Sequence, residues 1–415
     1  MDLSLPSDPR WPTDSGDSAS CKLAGEFFAT WMSSAEQVEA ETYRGPGLAV
    51  TAEYLRILFG VDERAFSNGA LLQWFADTER EAGIAGDVAY QQFYEAVIAP
   101  AVNFCGASVC RSLGWTGNSD LAGIGVFSSY YIEAILVTLY LVVLLARRFR
   151  IWKGTSGLSR LIMMPFLATV GDLVQSVFIF AIAIICASLN SILRAIEDDY
   201  SVTTYEVVTA VLVTVFAVCP ATLLYSVGGD SKGPKPLLRG VLFAVWVLML
   251  AVVNLGRTTD PSREAFQSGT IGHPFELYCQ VIGDGPLEAV RIFAVVSAGL
   301  GALWILYILY RKCRTSDPDA AKDKKDITIS QVIISILACL VMWFFLGLFT
   351  AMRARIIEVA GDSDSSNEWG FGQVVALATW APVILNFCYI MFMGIKKGYG
   401  CKLPDEYEVR RTTEK

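Results

Sequence analysis

In SSYYIEAILVTLYLVVLLARRFR, residues 128–150, a carboxyl group, Glu133, sits near the middle of an apolar run long enough to cross a bilayer. An ionisable group at that depth costs roughly a few kcal/mol unless it is paired or wetted. On a helix Tyr130 falls at i−3 and Tyr140 at i+7, so one face presents a carboxyl between two phenols, with Tyr131 alongside. FLATVGDLVQSVFIF, residues 166–180, sets Thr169, Asp172, Gln175 and Ser176 on a second polar face. Three kinds of role suit such carboxyls. A low-dielectric site keeps one protonated, which makes it a general acid. A chain of them relays ions. A structural pairing with a Tyr, an Asn or Arg291 instead locks helices together.

Other polar groups cluster at the ends of apolar runs. Glu206 opens one, Asn254 closes another, Arg291 begins a third, and Gln373 begins the last. Arg353, Arg355 and Glu358 follow one another at the end of a run and are expected to snorkel at headgroup level. Glu206 is expected at the interface. Aromatic residues recur on single faces: Trp304 with Tyr307, Trp343 with Phe344, and Trp369 with Trp380, Gln373 between them. Singly these suit an interfacial belt or core packing. Together their π faces tolerate a positive charge.

The elements that hold these groups are membrane helices. Of 415 residues 53% are hydrophobic and 18% charged, and mean hydropathy is +0.45. That balance defines an all-α polytopic membrane protein. Seven stretches reach spanning length: 124–146, 164–190, 204–227, 237–256, 288–310, 327–351 and 371–394. RRFRIWKGTSGLSR, SKGPKPLLR, RKCRTSDPDAAKDKKD and IKKGYGCK follow alternate runs, whereas the intervening loops are acidic or neutral. The bias places the C-terminus, 395–415, in the cytosol and the N-terminal segment in a lumen or outside the cell. The endoplasmic reticulum is the default membrane.

Residues 21–123 are expected to form a small helical lumenal domain, and 1–20, rich in Pro, Ser and Asp, to be disordered. EQVEAETYRGPGLAVTAEYLRILFG and NGALLQWFADTEREAG show helical periodicity, and AYQQFYEAVIAPAVNFC suggests a further helix ended near Pro100. The bundle then covers 124–394. No basic n-region precedes an apolar core at the start, so no cleavable signal is expected. Cys21, Cys105, Cys110 and Cys279 fall on the oxidising side, and the five-residue spacing of Cys105 and Cys110 suggests a local disulfide.

The pattern also excludes chemistries. The sole histidine, His273, lies in an outer loop, and no Cys or His spacing fits zinc. GDGPLE lacks a P-loop lysine, and AIEDDY is too short for an Asp-rich diphosphate-binding motif. No metal and no cofactor are expected. No basic patch interleaved with aromatics points to nucleic acid.

NFCGASVCRSLGWTGNSDLAGIGVFSSYYIEAI, running into the first span, and NEWGFGQVVALATWAPVI at the last resemble a group of fungal multi-span proteins. Within or near that group lie membrane-bound terpene cyclases of meroterpenoid secondary-metabolite biosynthesis, of the ascofuranone and ascochlorin type. The resemblance implies cyclisation of a farnesyl chain, usually epoxidised, on an aromatic polyketide. It implies a lipophilic prenylated aromatic substrate taken from the bilayer, with a prenyltransferase and an epoxidising oxygenase acting upstream. No site motif is carried over. For this chemistry Glu133 and Asp172 are the candidate acids, and Tyr130, Tyr131, Gln373, Trp369 and Trp380 the candidates to line the substrate and stabilise a cation. Two other classes fit seven spans: an orphan receptor or sensor, and a proton-coupled transporter. Against a receptor, ILNFCYIMF stands where an NPxxY-like run is expected and no DRY-like tripeptide ends the third span. Against a transporter, seven spans divide poorly into inverted repeats.

Overall fold

The computed structural model describes residues 19–35, 47–61, 66–115, 117–149, 157–197, 202–228, 236–259, 274–279, 284–314, 323–361 and 369–400. Among them the chain is helical and forms no strand. Two compact units result.

The first unit comprises 1–116, 265–282 and 354–365. Its helices are α1 (Ala19–Ala35), α2 (Leu48–Phe59), α3 (Asn68–Ala85), α4 (Asp87–Phe93) and α5 (Ala99–Leu113). Phe27 and Phe28 of α1 meet Tyr54 and Leu55 of α2, Leu71 and Phe75 of α3, and Val97, Ile98 and Val109, all fully or nearly fully buried. Phe27 stacks on Tyr54 at 3.9 Å between ring centroids, and the Tyr54 hydroxyl donates to the Val97 carbonyl at 2.6 Å. Burial pushes the Tyr54 phenol far above its ordinary range. Gly25 lets α1 and α5 touch backbone to backbone, since a methyl there would lie 2.6 Å from the Ser108 carbonyl oxygen.

Three expectations are corrected here. Helix α1 begins at Ala19, inside the stretch 1–20; positions 1–18 lie outside the described residues. The helix through Pro100 does not end there. A widened turn, Tyr94–Ile98, absorbs the missing proline N–H, and α5 continues to Leu113. Finally, Cys105 and Cys110 do not pair. The disulfides are Cys21–Cys105 and Cys110–Cys279. Both thiols of the expected pair sit on α5, which kinks at Cys105, and each faces a different partner.

The second unit comprises 117–264, 283–353 and 366–415. A short turn, α6 (Ser119–Ala122), leads into α7 (Ile124–Arg148), followed by α8 (Gly157–Ile196), α9 (Thr204–Gly228) and α10 (Pro236–Thr258). After α11 (Pro274–Tyr278) of the first unit come α12 (Asp284–Arg314), α13 (Asp323–Ala360), α14 (Phe371–Ala378) and α15 (Ala381–Gly400). Helix α9 is the central post. It is Val, Ala, Leu and Thr on every side, and 94% of its most apolar window is buried.

Among the described residues seven helices are long and apolar enough to cross a membrane. Six coincide with expected spans. The seventh is Asp87–Leu113 of the first unit, whose apolar face is the one packed on α1 and α2. The remaining expected span, 288–310, falls within the 31 residues of α12, and the side chains of Trp304 and Tyr307 there lie outside the described set.

The expected span 371–394 is broken. α14 stops at Ala378 and α15 starts at Ala381, with Thr379 and Trp380 as the turn. Pro382 causes this, because its ring cannot donate to the Ala378 carbonyl and would clash with it. Next to it, the Thr379 carbonyl of the turn accepts from the Ser176 hydroxyl of α8 at 3.1 Å.

Candidate functional site

Glu133 lies on α7 with 0% exposure, and neither carboxyl oxygen has a hydrogen-bond partner. It is neither directed at lipid nor held in an ion pair. Tyr130 on its own helix and Cys219 on α9 lie within electrostatic reach of it.

One turn toward the start of α7, Tyr130 forms the hub of an aromatic cluster. Its ring meets Phe180 of α8 at 5.6 Å, Phe216 of α9 at 5.3 Å and Phe349 of α13 at 5.8 Å, each edge to face. Phe180 in turn meets Trp380, at the break of the last span, at 5.3 Å. Trp380 is fully buried, and its indole N–H, like the Glu133 carboxyl, has no hydrogen-bond partner. Three helices therefore bring rings to Tyr130 of a fourth, and Trp380 joins through Phe180. The edges of such rings point positive and their faces negative, so the cluster presents π faces as well as apolar bulk.

The other expected site residues separate into three groups. Tyr130 and Tyr140 share the buried face read from the sequence, but their hydroxyls are committed elsewhere. Tyr130 donates to the Leu121 carbonyl at 3.1 Å, and Tyr140 bonds the Thr169 hydroxyl. Tyr131 is half-buried and bonds Thr350 of α13 at 2.8 Å, which couples two spans. Gln373 is buried, and its Oε1 accepts from the Gly125 N–H at 2.9 Å; it clamps α14 to the first turn of α7. Trp369, by contrast, is 60% exposed and lies outside the buried cluster.

Asp172 differs from Glu133 in kind. It is half-buried and accepts from the Asn386 side chain of α15 at 2.9 Å. This is the carboxyl–Asn pairing weighed from the sequence as a structural role. Arg291 reaches neither acid. It contacts the Thr259 carbonyl at 3.4 Å and Glu288 at 4.0 Å. Arg353 is half-buried rather than snorkelling: its Nε donates to the Ala122 carbonyl at 3.1 Å and its guanidinium lies 5.0 Å over the Phe127 ring. Arg355 and Glu358 form an exposed ion pair.

Phe180, Phe216 and Phe349 are the site residues that sequence reasoning missed. Each is one Phe among many in apolar runs, and no spacing within a run marks it. Among the described residues no cluster of three or more His, Cys, Asp or Glu side chains is placed to hold a metal ion.

The arrangement joins an unpartnered buried carboxyl, an unpartnered buried N–H donor and a set of π faces. No protein-family model matches the chain, and comparison with the curated proteins and with the solved structures finds no similar one. The class that fold and site define is an all-helical integral membrane protein with a polar group set deep in its helical bundle.

Proposed function

We propose that the bundle is a membrane-bound terpene cyclase of the acid-initiated type, acting on an epoxidised farnesyl chain attached to an aromatic ring. The observation that carries this reading is the Glu133 carboxyl, fully buried with both oxygens unpartnered beside the Tyr130 cluster. The Glu133 O–H donates its proton to the epoxide oxygen, and the C–O bond opens toward the more substituted carbon. The neighbouring alkene π electrons attack that carbon and close the ring. The face of the Tyr130 cluster stabilises the travelling charge. Loss of a proton from the final cation to the Glu133 carboxylate restores the acid, so the product is an isomer of the substrate. Asp172 holds α8 to α15 through Asn386 and is a positioning residue in this scheme. The substrate partitions into lipid, which suits a site between membrane helices.

In the same reading the first unit is lumenal, the C-terminus cytosolic, and the host membrane the endoplasmic reticulum. Two disulfides, which persist in oxidising compartments, and the basic ends of α7, Arg147 and Arg148, support that orientation.

Microsomes containing the protein should convert an epoxyfarnesyl phenol into a cyclic isomer. Glu133→Gln should lower turnover by about 10²- to 10⁴-fold, the contribution of a general acid, while Asp172→Asn retains most of it. Full activity in Glu133→Gln refutes the assignment of the acid. A proton-coupled transporter is the second reading, favoured by the broken last span beside two intramembrane acids. It predicts substrate-dependent acidification of sealed vesicles and no change in the substrate's structure.

A further inference from the structure

Trp380 poses a question that cation stabilisation does not answer. An indole ring alone supplies a π face, and a Phe at the same place would supply one without a polar atom. A buried N–H left without an acceptor gives up its hydrogen bond to water and gains none in return. Elsewhere in the bundle the same group is satisfied: Trp246 donates to the Thr222 hydroxyl at 3.0 Å and Trp343 to the Thr138 hydroxyl at 3.0 Å. Trp380 has no such acceptor although it is fully buried. It also sits where the chain interrupts a membrane helix, at a turn held in place by the Ser176 hydroxyl. One ring meets it directly, Phe180 at 5.3 Å, and beyond Phe180 lies the Tyr130 hub one turn from Glu133.

From this we infer that Trp380 is the polar anchor of the ligand site, its indole N–H donating a hydrogen bond to an acceptor oxygen on an otherwise apolar, ring-bearing ligand. The donor and the Glu133 carboxyl then address opposite ends of one molecule across the aromatic cluster: the indole holds the oxygen of the head, and the carboxyl meets the tail. The ligand class rests on the cyclase reading; the anchoring role rests on the unpartnered N–H. In that reading the acceptor is the oxygen on the aromatic head, so orientation of the farnesyl tail toward Glu133 follows from where the head is fixed.

The test is a binding comparison on purified full-length protein in detergent, with three ligands: a farnesyl phenol, its O-methyl ether and the corresponding farnesylbenzene. A donor at Trp380 requires an acceptor oxygen and not a hydroxyl proton. Wild-type protein should therefore bind the phenol and the ether alike, and the hydrocarbon about tenfold more weakly, the weight of one such hydrogen bond. Trp380→Phe should bind all three with equal affinity, so that the phenol and the ether lose their advantage over farnesylbenzene; a thermal melt in detergent reports whether the variant is folded. A wild-type protein that binds the phenol well but the ether as weakly as the hydrocarbon overturns the inference, because the oxygen then acts as donor. Equal wild-type binding of all three, no binding of any, or a preference that survives in Trp380→Phe overturns it as well. The wild-type comparison stands even if the variant misfolds. Selective binding without turnover sinks the cyclase reading and leaves the anchor in place; turnover without selectivity does the reverse.

Discussion

Glu133 shows how function and stability oppose one another at a single residue. A buried carboxyl without a partner loses its hydration and gains nothing from the protein, whatever its protonation state. The fold tolerates it because α7 packs against α8, α9 and α14 along a largely apolar buried face. Replacing it by Leu, of similar volume, should raise the thermal unfolding temperature in detergent, by the equivalent of about 1–3 kcal/mol. The same variant should be inactive. A lower unfolding temperature would mean that the carboxyl is held by a favourable interaction, and the acid role would lose its physical basis. Asp172→Leu should do the opposite and destabilise, because it strands the Asn386 amide. Comparing the two melting curves separates the unpartnered acid from the paired one.

At the scale of elements, the broken last span depends on how closely α14 approaches the start of α7. Gly123 and Gly125 permit the contact: a methyl at Gly125 would lie 2.6 Å from the Gln373 Cβ and 3.0 Å from the Trp369 ring. Gly125→Ala should therefore cost about 1–3 kcal/mol by overpacking. Removing the clashing Cβ in Gly125→Ala/Gln373→Gly should relieve part of that, a coupling that a double-mutant cycle measures. Ser176→Ala removes the acceptor-satisfying hydroxyl from the Thr379 carbonyl and should cost about 1 kcal/mol or more. Additive effects in the first pair would show that α14 does not press on α7 as described.

Over the whole molecule, the first unit gathers three stretches far apart in the chain, and the Cys110–Cys279 disulfide spans 169 residues. Cys110→Ser or Cys279→Ser should destabilise that unit by about 2–5 kcal/mol, read as an earlier unfolding step. In sealed microsomes Cys401 should react with a membrane-impermeant maleimide added from the cytosolic side. Protection of Cys401 there would invert the proposed orientation.

Composition and run length by themselves determined the helical membrane class, since a backbone in hydrocarbon must bond within its own helix and about twenty apolar residues are needed to cross. They also singled out Glu133, because a charge-bearing residue inside such a run has no cheap explanation. Much of the rest is decided by the tertiary structure. Cys105 and Cys110 look like partners in sequence, yet chain segments 84 and 169 residues away supply their bonds. Glu133 and Asp172 look equivalent in sequence, yet one finds Asn386 and the other finds nothing. Phe180, Phe216 and Phe349 carry no mark until three helices bring them to Tyr130. The reason is common to all three. Periodicity records which side of a helix is apolar, but the partner on that side comes from another part of the chain, and only packing selects it.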